Sequence, residues 1–155
     1  MPAPPGTKHP RELGFRLGLA VWVSQTDQIE RVDWEEDVKG LRDFVYVAVR
    51  SDGVVLKVGE TGGTLHDRWD GILRLVAAQP AQRRYRPSEW KARDEWRKQV
   101  QGQSFEVWLK CPDLIRLEYC GMQIAVRSRN AEEAFLDAYY RPCIGKPLSR
   151  RGQEI

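Results

Sequence analysis

The sequence predicts an α+β domain in which a small three-stranded antiparallel sheet is flanked by helices. Three observations carry that expectation. The pair Asp52-Gly53 separates two runs rich in β-branched residues, Phe44 to Arg50 and Val54 to Gly59, the strongest short-range hairpin signal. Ser104 to Lys110 alternates Phe105, Val107 and Leu109 and supplies a third strand. Two segments then carry apolar residues at helical spacing behind N-capping side chains. One places Leu65, Trp69, Ile72, Leu73 and Val76 behind Thr64; the other places Phe135, Leu136 and Tyr139 behind Asn130.

Before this core, residues 1 to 10 are rich in proline and read as a disordered or extended tail. Residues 11 to 42 form an N-terminal accessory segment. In it, Leu13 to Val23 is apolar but interrupted by Gly14 and Gly18, a strand or an irregular buried stretch, and Asp33 to Leu41 reads as a short acidic helix capped by Asp33. The core runs from 43 to 147, and residues 148 to 155 are a basic C-terminal tail.

Within the hairpin, a two-residue loop pairs Ser51 with Val54, Val49 with Leu56 and Val47 with Val58. Val45, Val47, Val49, Val54, Leu56 and Val58 then share one wholly apolar face, as a core requires. Tyr46, Ala48, Arg50, Val55, Lys57 and Gly59 take the other, which sets Tyr46 and Lys57 diagonally across the strands with Lys57 on an exposed face. Thr64 with Asp67 forms a near capping box for the next helix, which carries Arg68 one turn in and ends before Pro80. Ser88 caps a further helix to about Val100, and the final helix, ending before Pro142, carries Glu132 and Glu133. Between them, 112 to 127 has no clear period, although Met122 to Val126 suits a strand.

Composition bounds the function only loosely. At 155 residues, with 41% hydrophobic and 30% charged residues, the chain suits one folded domain. A net charge of +3 permits a nucleic-acid partner without arguing for one. Three cysteines with no CxxC pair, and two histidines, make a poor zinc set and point to a reducing cytoplasmic compartment. No apolar stretch is long enough to span a bilayer.

Taken in order, Phe44-Val45-Tyr46, Lys57-Val58-Gly59-Glu60-Thr61, Leu65-His66-Asp67-Arg68 and Glu133-Ala134-Phe135-Leu136 followed by Pro142 resemble the GIY-YIG nuclease superfamily. That resemblance covers 43 to about 145, with an uncertain alignment from 80 to 130. The chain departs from the family pattern at Phe44, at Ile72 where a histidine is common, at Gly145 where an asparagine is common, and at Lys57 in the second tyrosine position. Lysine there resembles the small type II restriction endonucleases of the superfamily. The resemblance implies a magnesium-dependent endonuclease acting on double-stranded DNA, with Mn²⁺ able to substitute, and with Tyr46, Lys57, Arg68 and Glu133 as catalytic residues. It also suits a homodimer in which each site cuts one strand. A repair, mobile-element or phage nuclease of the same fold, and an inactive nucleic-acid-binding module, are the alternatives.

The chemistry of those residue types agrees. Tyrosine titrates near pH 10, so Tyr46 can act as a base only if a neighbouring cation favours its phenolate; Lys57 can be that cation, or the base itself. Arg68 offers a planar fork to phosphate oxygens. Glu133 supplies the single carboxylate that Mg²⁺ commonly takes beside waters and phosphate, and Glu132 competes for that role. Each has a plainer reading: a strand tyrosine, a solvated lysine, a helix-surface arginine, and a capping-box glutamate for Asn130. For DNA contact, Arg83, Arg84, Arg86, Lys91, Arg93, Arg97 and Lys98 are interleaved with Tyr85, Trp90 and Trp96, and suit either a phosphate-binding surface or a solvated amphipathic helix.

Overall fold

A computed structural model describes residues 6–78 and 85–144. Seven strands and three helices follow one another in the order β1 (Arg16–Val23), β2 (Ile29–Trp34), β3 (Phe44–Arg50), β4 (Val55–Thr61), α1 (Leu65–Ala77), α2 (Pro87–Val100), β5 (Phe105–Lys110), β6 (Leu114–Tyr119), β7 (Met122–Arg127) and α3 (Arg129–Tyr140). The fold class is the expected α+β, but the main sheet has five antiparallel strands in the order β2-β1-β5-β3-β4 rather than three. The two additional strands come from residues 11 to 42.

The first is the strand alternative offered for Leu13 to Val23, and the second was hidden behind a helix-like charge pattern. Gly18 interrupts the apolar alternation of β1, yet it is required there: a Cβ would meet Leu109 Cδ2 and Leu65 Cδ2, each at 2.6 Å. Edge strand β2 carries Glu30, Arg31 and Asp33, the kind of charge that protects a sheet edge from further pairing and imitates a solvated helix. The expected acidic helix is accordingly the end of β2 followed by a single 3-10 turn, Glu36–Val38.

Both faces of the sheet are covered. On one, Leu19, Tyr46, Ala48, Leu56, Val107 and Leu109 pack with Leu65, Trp69 and Val76 of α1 and Trp96 and Val100 of α2. On the other, Val45, Val47, Val49, Val55 and Trp108 pack with Leu136 and Tyr140 of α3 and with Cys143. All of β3 is therefore buried, which corrects the expectation of one exposed hairpin face.

The register also differs at the turn. Tyr46 pairs with Gly59, Val47 with Val58 and Ala48 with Lys57, as expected, but Val49 pairs with Val55 and not with Leu56. Leu56 is the extra residue of a bulge, so it joins the Tyr46 face and Val55 joins the Val47 face. Arg50 N donates to Val54 O at 2.8 Å, so the loop has three residues and not two; the bulge compensates it, and Tyr46 and Lys57 still share a face.

Helix α1 begins as expected. Thr64 Oγ1 accepts from Asp67 N at 3.1 Å, and Asp67 Oδ2 accepts from Thr64 N at 3.2 Å. Helix α2 starts at Pro87 behind Arg86, so Ser88 lies inside its first turn and is not the cap. Helix α3 starts at Arg129 behind Ser128, whose hydroxyl accepts from Ala131 N at 3.1 Å, so Asn130 lies inside the helix. Glu133 is then too far along to be a capping-box partner. Leu136 and Tyr140, rather than Phe135, form the buried stripe. No described helix is long and apolar enough to cross a membrane.

Strands β6 and β7 stand apart as a two-stranded sheet joined by Cys120-Gly121. Both turn residues have positive φ, 51° and 75°, the geometry of a two-residue hairpin turn of the primed type.

Candidate active site

Tyr46 sits in the middle of β3 with no solvent exposure. Its ring packs edge-on against Trp69, 5.6 Å between centroids. It also lies across the backbone of Gly59 on β4, where a Cβ would overlap the tyrosine hydroxyl and ring. Glycine is thus demanded at this position by close approach rather than by a turn.

Arg68 reaches the same hydroxyl from α1: its Nε–H donates to Tyr46 Oη at 2.9 Å. The two residues are 22 apart in sequence, on β3 and α1, with β4 and the 62-to-64 loop between them in the chain. Lys57 lies on this face opposite Ala48, and at 7% exposure it is buried rather than solvated. Among the described residues it shares that state with one other charged side chain, Arg50.

Glu133 comes from α3, which covers the opposite face of the sheet next to the edge strand β4. It is half-buried. The first turn of α3 is tied to β4 by Arg129 Nη1, which pairs with Glu60 Oε2 at 2.9 Å. Glu132 is turned elsewhere. Its Oε2 accepts from Asp113 N at 2.8 Å, and its Oε1 meets Lys110 Nζ at 3.4 Å. Burial alone would lower the Lys110 pKa, but its bonds to Asp113 and Glu132 outweigh that and raise it. Of the two adjacent carboxylates, Glu132 therefore has a structural post at the start of the β6–β7 hairpin.

No family model matches the chain, and no curated protein matches it. Solved structures do. A mutant of bacteriophage T4 EndoII aligns over 84% of this chain and 91% of its own at 9% identity, with a TM-score of 0.50. The restriction endonuclease HPY188I in complex with product DNA aligns over 86% and 78% at 13% identity, with a TM-score of 0.47. The chain shares the fold of EndoII. At 9% identity the likeness concerns the path of the backbone alone.

On this EndoII-like scaffold, the basic residues of α2 divide into two groups. Arg93 Nη1 donates to Ala78 O at 2.8 Å, while its guanidinium covers Trp90 at 4.5 Å. Arg97 donates through Nε and Nη2 to Val76 O at 3.1 and 3.0 Å. Both therefore stitch α2 to the last carbonyls of α1, an ordinary way to satisfy a helix C-terminus. Arg86, Lys91 and Lys98 are exposed. Arg83 and Arg84 lie outside the described residues.

A second basic surface was not singled out by the sequence. Arg42, Arg127 and Arg129 line an open cleft of about 600 Å³ with Asp43, Cys111 and Pro112. These arginines come from three separate segments, so no run of charge announces them. One local signal was available: Arg129 is the first residue of the helix that carries Glu133.

Proposed function

We propose that this chain is a metal-dependent endonuclease that hydrolyses DNA phosphodiester bonds, a GIY-YIG nuclease with Lys57 in the second tyrosine position, cutting as a sequence-specific type II restriction enzyme. The observation that carries the proposal is the contact between Arg68 Nε and the buried Tyr46 hydroxyl. A hydrogen bond donated by a guanidinium favours a phenolate over a phenol, and so equips a tyrosine to take a proton from water. Lys57, on the same face, is the other candidate for that proton or for support of the phenolate. The fork of Arg68 meets non-bridging phosphate oxygens as charge develops on them.

Glu133 is the residue that would hold Mg²⁺, or Mn²⁺ in its place. The donor chemistry fits, because a single carboxylate suits a hard cation that keeps several waters and binds substrate phosphate. Of the two neighbouring carboxylates, Glu132 is held by Asp113 N and Lys110 Nζ at the start of the β6–β7 hairpin. When bound, the cation supplies Lewis-acid stabilisation of the phosphate. Double-stranded DNA would lie with its backbone near Arg86, Lys91 and Lys98 and along the cleft of Arg42, Arg127 and Arg129. Two copies, one for each strand, would complete a double-strand cut.

Incubation of supercoiled plasmid with the purified chain tests this reading. Discrete fragments are expected with Mg²⁺, and none with EDTA or with Glu133→Gln. A folded wild-type chain that leaves plasmid intact in both Mg²⁺ and Mn²⁺ overturns the enzyme. A smear in place of fragments overturns only its sequence specificity.

A further inference from the structure

We propose that Arg129 is a positioning residue: its ion pair with Glu60, closed against Gly62, sets where Glu133 stands relative to Tyr46 and Arg68. The inference deepens the nuclease reading above and rests on it. The groups proposed for one phosphate come from opposite faces of the sheet. Tyr46 and Arg68 meet on the face covered by α1, while Glu133 belongs to α3 on the other. They can surround one phosphate only around β4, the strand at that edge of the sheet. Their relative placement therefore depends on how α3 is held against β4.

Two neighbouring residues of β4 make the connection. Gly59 pairs with Tyr46 and Glu60 with Val45, so the two point to opposite faces. Gly59 is the surface against which the Tyr46 ring lies. Glu60 turns to the α3 side, where its Oε2 meets Arg129 Nη1 at 2.9 Å. An exposed ion pair would hold almost nothing. This one is largely withdrawn from water, with Glu60 16% and Arg129 35% exposed. Asp43 Oδ1, 3.8 Å from Arg129 Nε, adds a more distant anion. The guanidinium lies against Gly62, where a Cβ would come within 2.9 Å of Nη1. The bare backbone at Gly62 thus leaves the room in which the pair closes.

On α3, Arg129, Glu133, Leu136 and Tyr140 follow one another at intervals of four, three and four residues, which is a single stripe of the helix. Leu136 and Tyr140 seal its second half to the sheet by apolar packing. Its first half has no buried apolar residue and is held by polar contacts. Arg129 ties it to β4, and Glu132 ties it to Lys110 and Asp113 at the end of β5, two strands away. Glu133 stands between the two halves, one turn, or about 6 Å, beyond Arg129. Without the Arg129–Glu60 pair the first turn is free to lift from β4 and carry Glu133 with it. A displacement of about 1 Å costs on the order of 100-fold in rate.

Gly62→Ala tests the pair without removing any charge. The new methyl group meets the far end of a flexible side chain, so the guanidinium moves off Glu60 and the fold is retained. Glu60→Ala breaks the same contact from the other side. In plasmid cleavage each variant should lower kcat by about 10- to 100-fold and raise the Mg²⁺ concentration for half-maximal rate by about tenfold. The KM for DNA should change by less than about threefold, because Arg129 keeps its charge and its place in the cleft. Since both substitutions break one contact, the double variant should be no worse than Glu60→Ala alone. Hydrogen exchange of the metal-free protein gives a readout apart from cleavage. Amides in the first turns of α3 should exchange about tenfold faster in Gly62→Ala, while those around Leu136 and Tyr140 keep the wild-type rate. Wild-type kcat and Mg²⁺ requirement in a folded Gly62→Ala overturn the proposal. So do losses that multiply in the double variant, or unchanged exchange throughout α3. A wild-type chain that cuts no DNA sinks the nuclease reading instead, and exchange then decides by itself whether the pair holds α3.

Discussion

The chain contains two hairpins that invite comparison. β3–β4 is covered on both faces, yet it carries Tyr46, Lys57 and Arg50 within its buried surface. β6–β7 has the cleaner separation of apolar and polar faces, and stands with every residue exposed. A clean hydrophobic alternation is thus no measure of burial within the subunit. In the first hairpin, burial of polar groups costs stability, and they persist where hydrogen bonds and ion pairs compensate them. In the second, no described element packs over the apolar face. The proposed chemistry is placed in the first.

The largest effect should follow from filling the one space the first hairpin cannot spare. Gly59→Ala puts a methyl group into the Tyr46 ring and hydroxyl, which are too buried to swing aside. Plasmid cleavage should fall by about 1,000-fold or more, with a stability loss of about 1–3 kcal/mol in urea titration. An alanine at Glu118 in β6 should change neither, and normal cleavage by Gly59→Ala would show that the position of Tyr46 is irrelevant to activity.

Removing the hydroxyl itself should come next. Tyr46→Phe keeps the ring against Trp69 and leaves Arg68 Nε without its acceptor. Single-turnover cleavage should drop by about 100- to 10,000-fold, for about 1 kcal/mol of stability. Wild-type turnover in this variant would remove Tyr46 from the mechanism. Lys57→Met belongs to the same class with one change from the sequence-based expectation. Because Lys57 is buried, both activity and stability should fall, and an unaltered melting temperature would contradict its burial.

The two groups of α2 residues allow a finer separation. Arg97→Ala frees the Val76 carbonyl and should cost about 1–2 kcal/mol of stability by thermal unfolding. Lys91→Ala with Lys98→Ala should leave stability within about 0.5 kcal/mol. That double variant should instead lower the salt slope of DNA binding by up to about two units. An unchanged slope would leave the cleft of Arg42, Arg127 and Arg129 as the surface that holds the backbone.

The smallest effect lies at the tip of the first hairpin. A side-chain hydrogen bond from Arg50 lowers the Asp52 pKa to about 2, and the two are paired at 2.6 Å. A depressed carboxylate pKa contributes stability that is fully present above the unfolded value near 3.9 and is lost as pH falls through about 2. Since Asp52 is 41% exposed, water screens the pair and the contribution should stay below about 1 kcal/mol. The stability difference between wild type and Asp52→Asn should therefore shrink between about pH 5 and about pH 2, and a constant difference would exclude this linkage.

Elements with local signals were legible. The capping box of Thr64 and Asp67 set the start of α1, and β3 and β5 were marked by their own apolar patterns. β1 was legible only as one of two alternatives, because Gly18 answers to neighbours distant in sequence, and β2 was not legible, because its edge charges imitate a helix. Helix α3 was displaced by two residues, since Ser128 and Asn130 are both competent caps and only the packing of Leu136 and Tyr140 distinguishes them. At the site, the shared face of Tyr46 and Lys57 followed from strand parity, although a bulge at Leu56 was needed to preserve it. The roles of Arg93 and Arg97 were not legible, because their partners are backbone carbonyls that no side-chain pattern encodes.

The amino-acid sequence by itself determined that β3 and β4 form a hairpin about Asp52-Gly53 and where α1 begins, because these depend on residues within a few positions of one another. Tertiary structure alone decided that the sheet has five strands and that Arg68 meets Tyr46. It also decided that the face of Lys57 is buried while that of Leu117 and Ile124 is bare. Periodicity specifies only the direction in which a side chain points. What stands in that direction is supplied by distant parts of the chain.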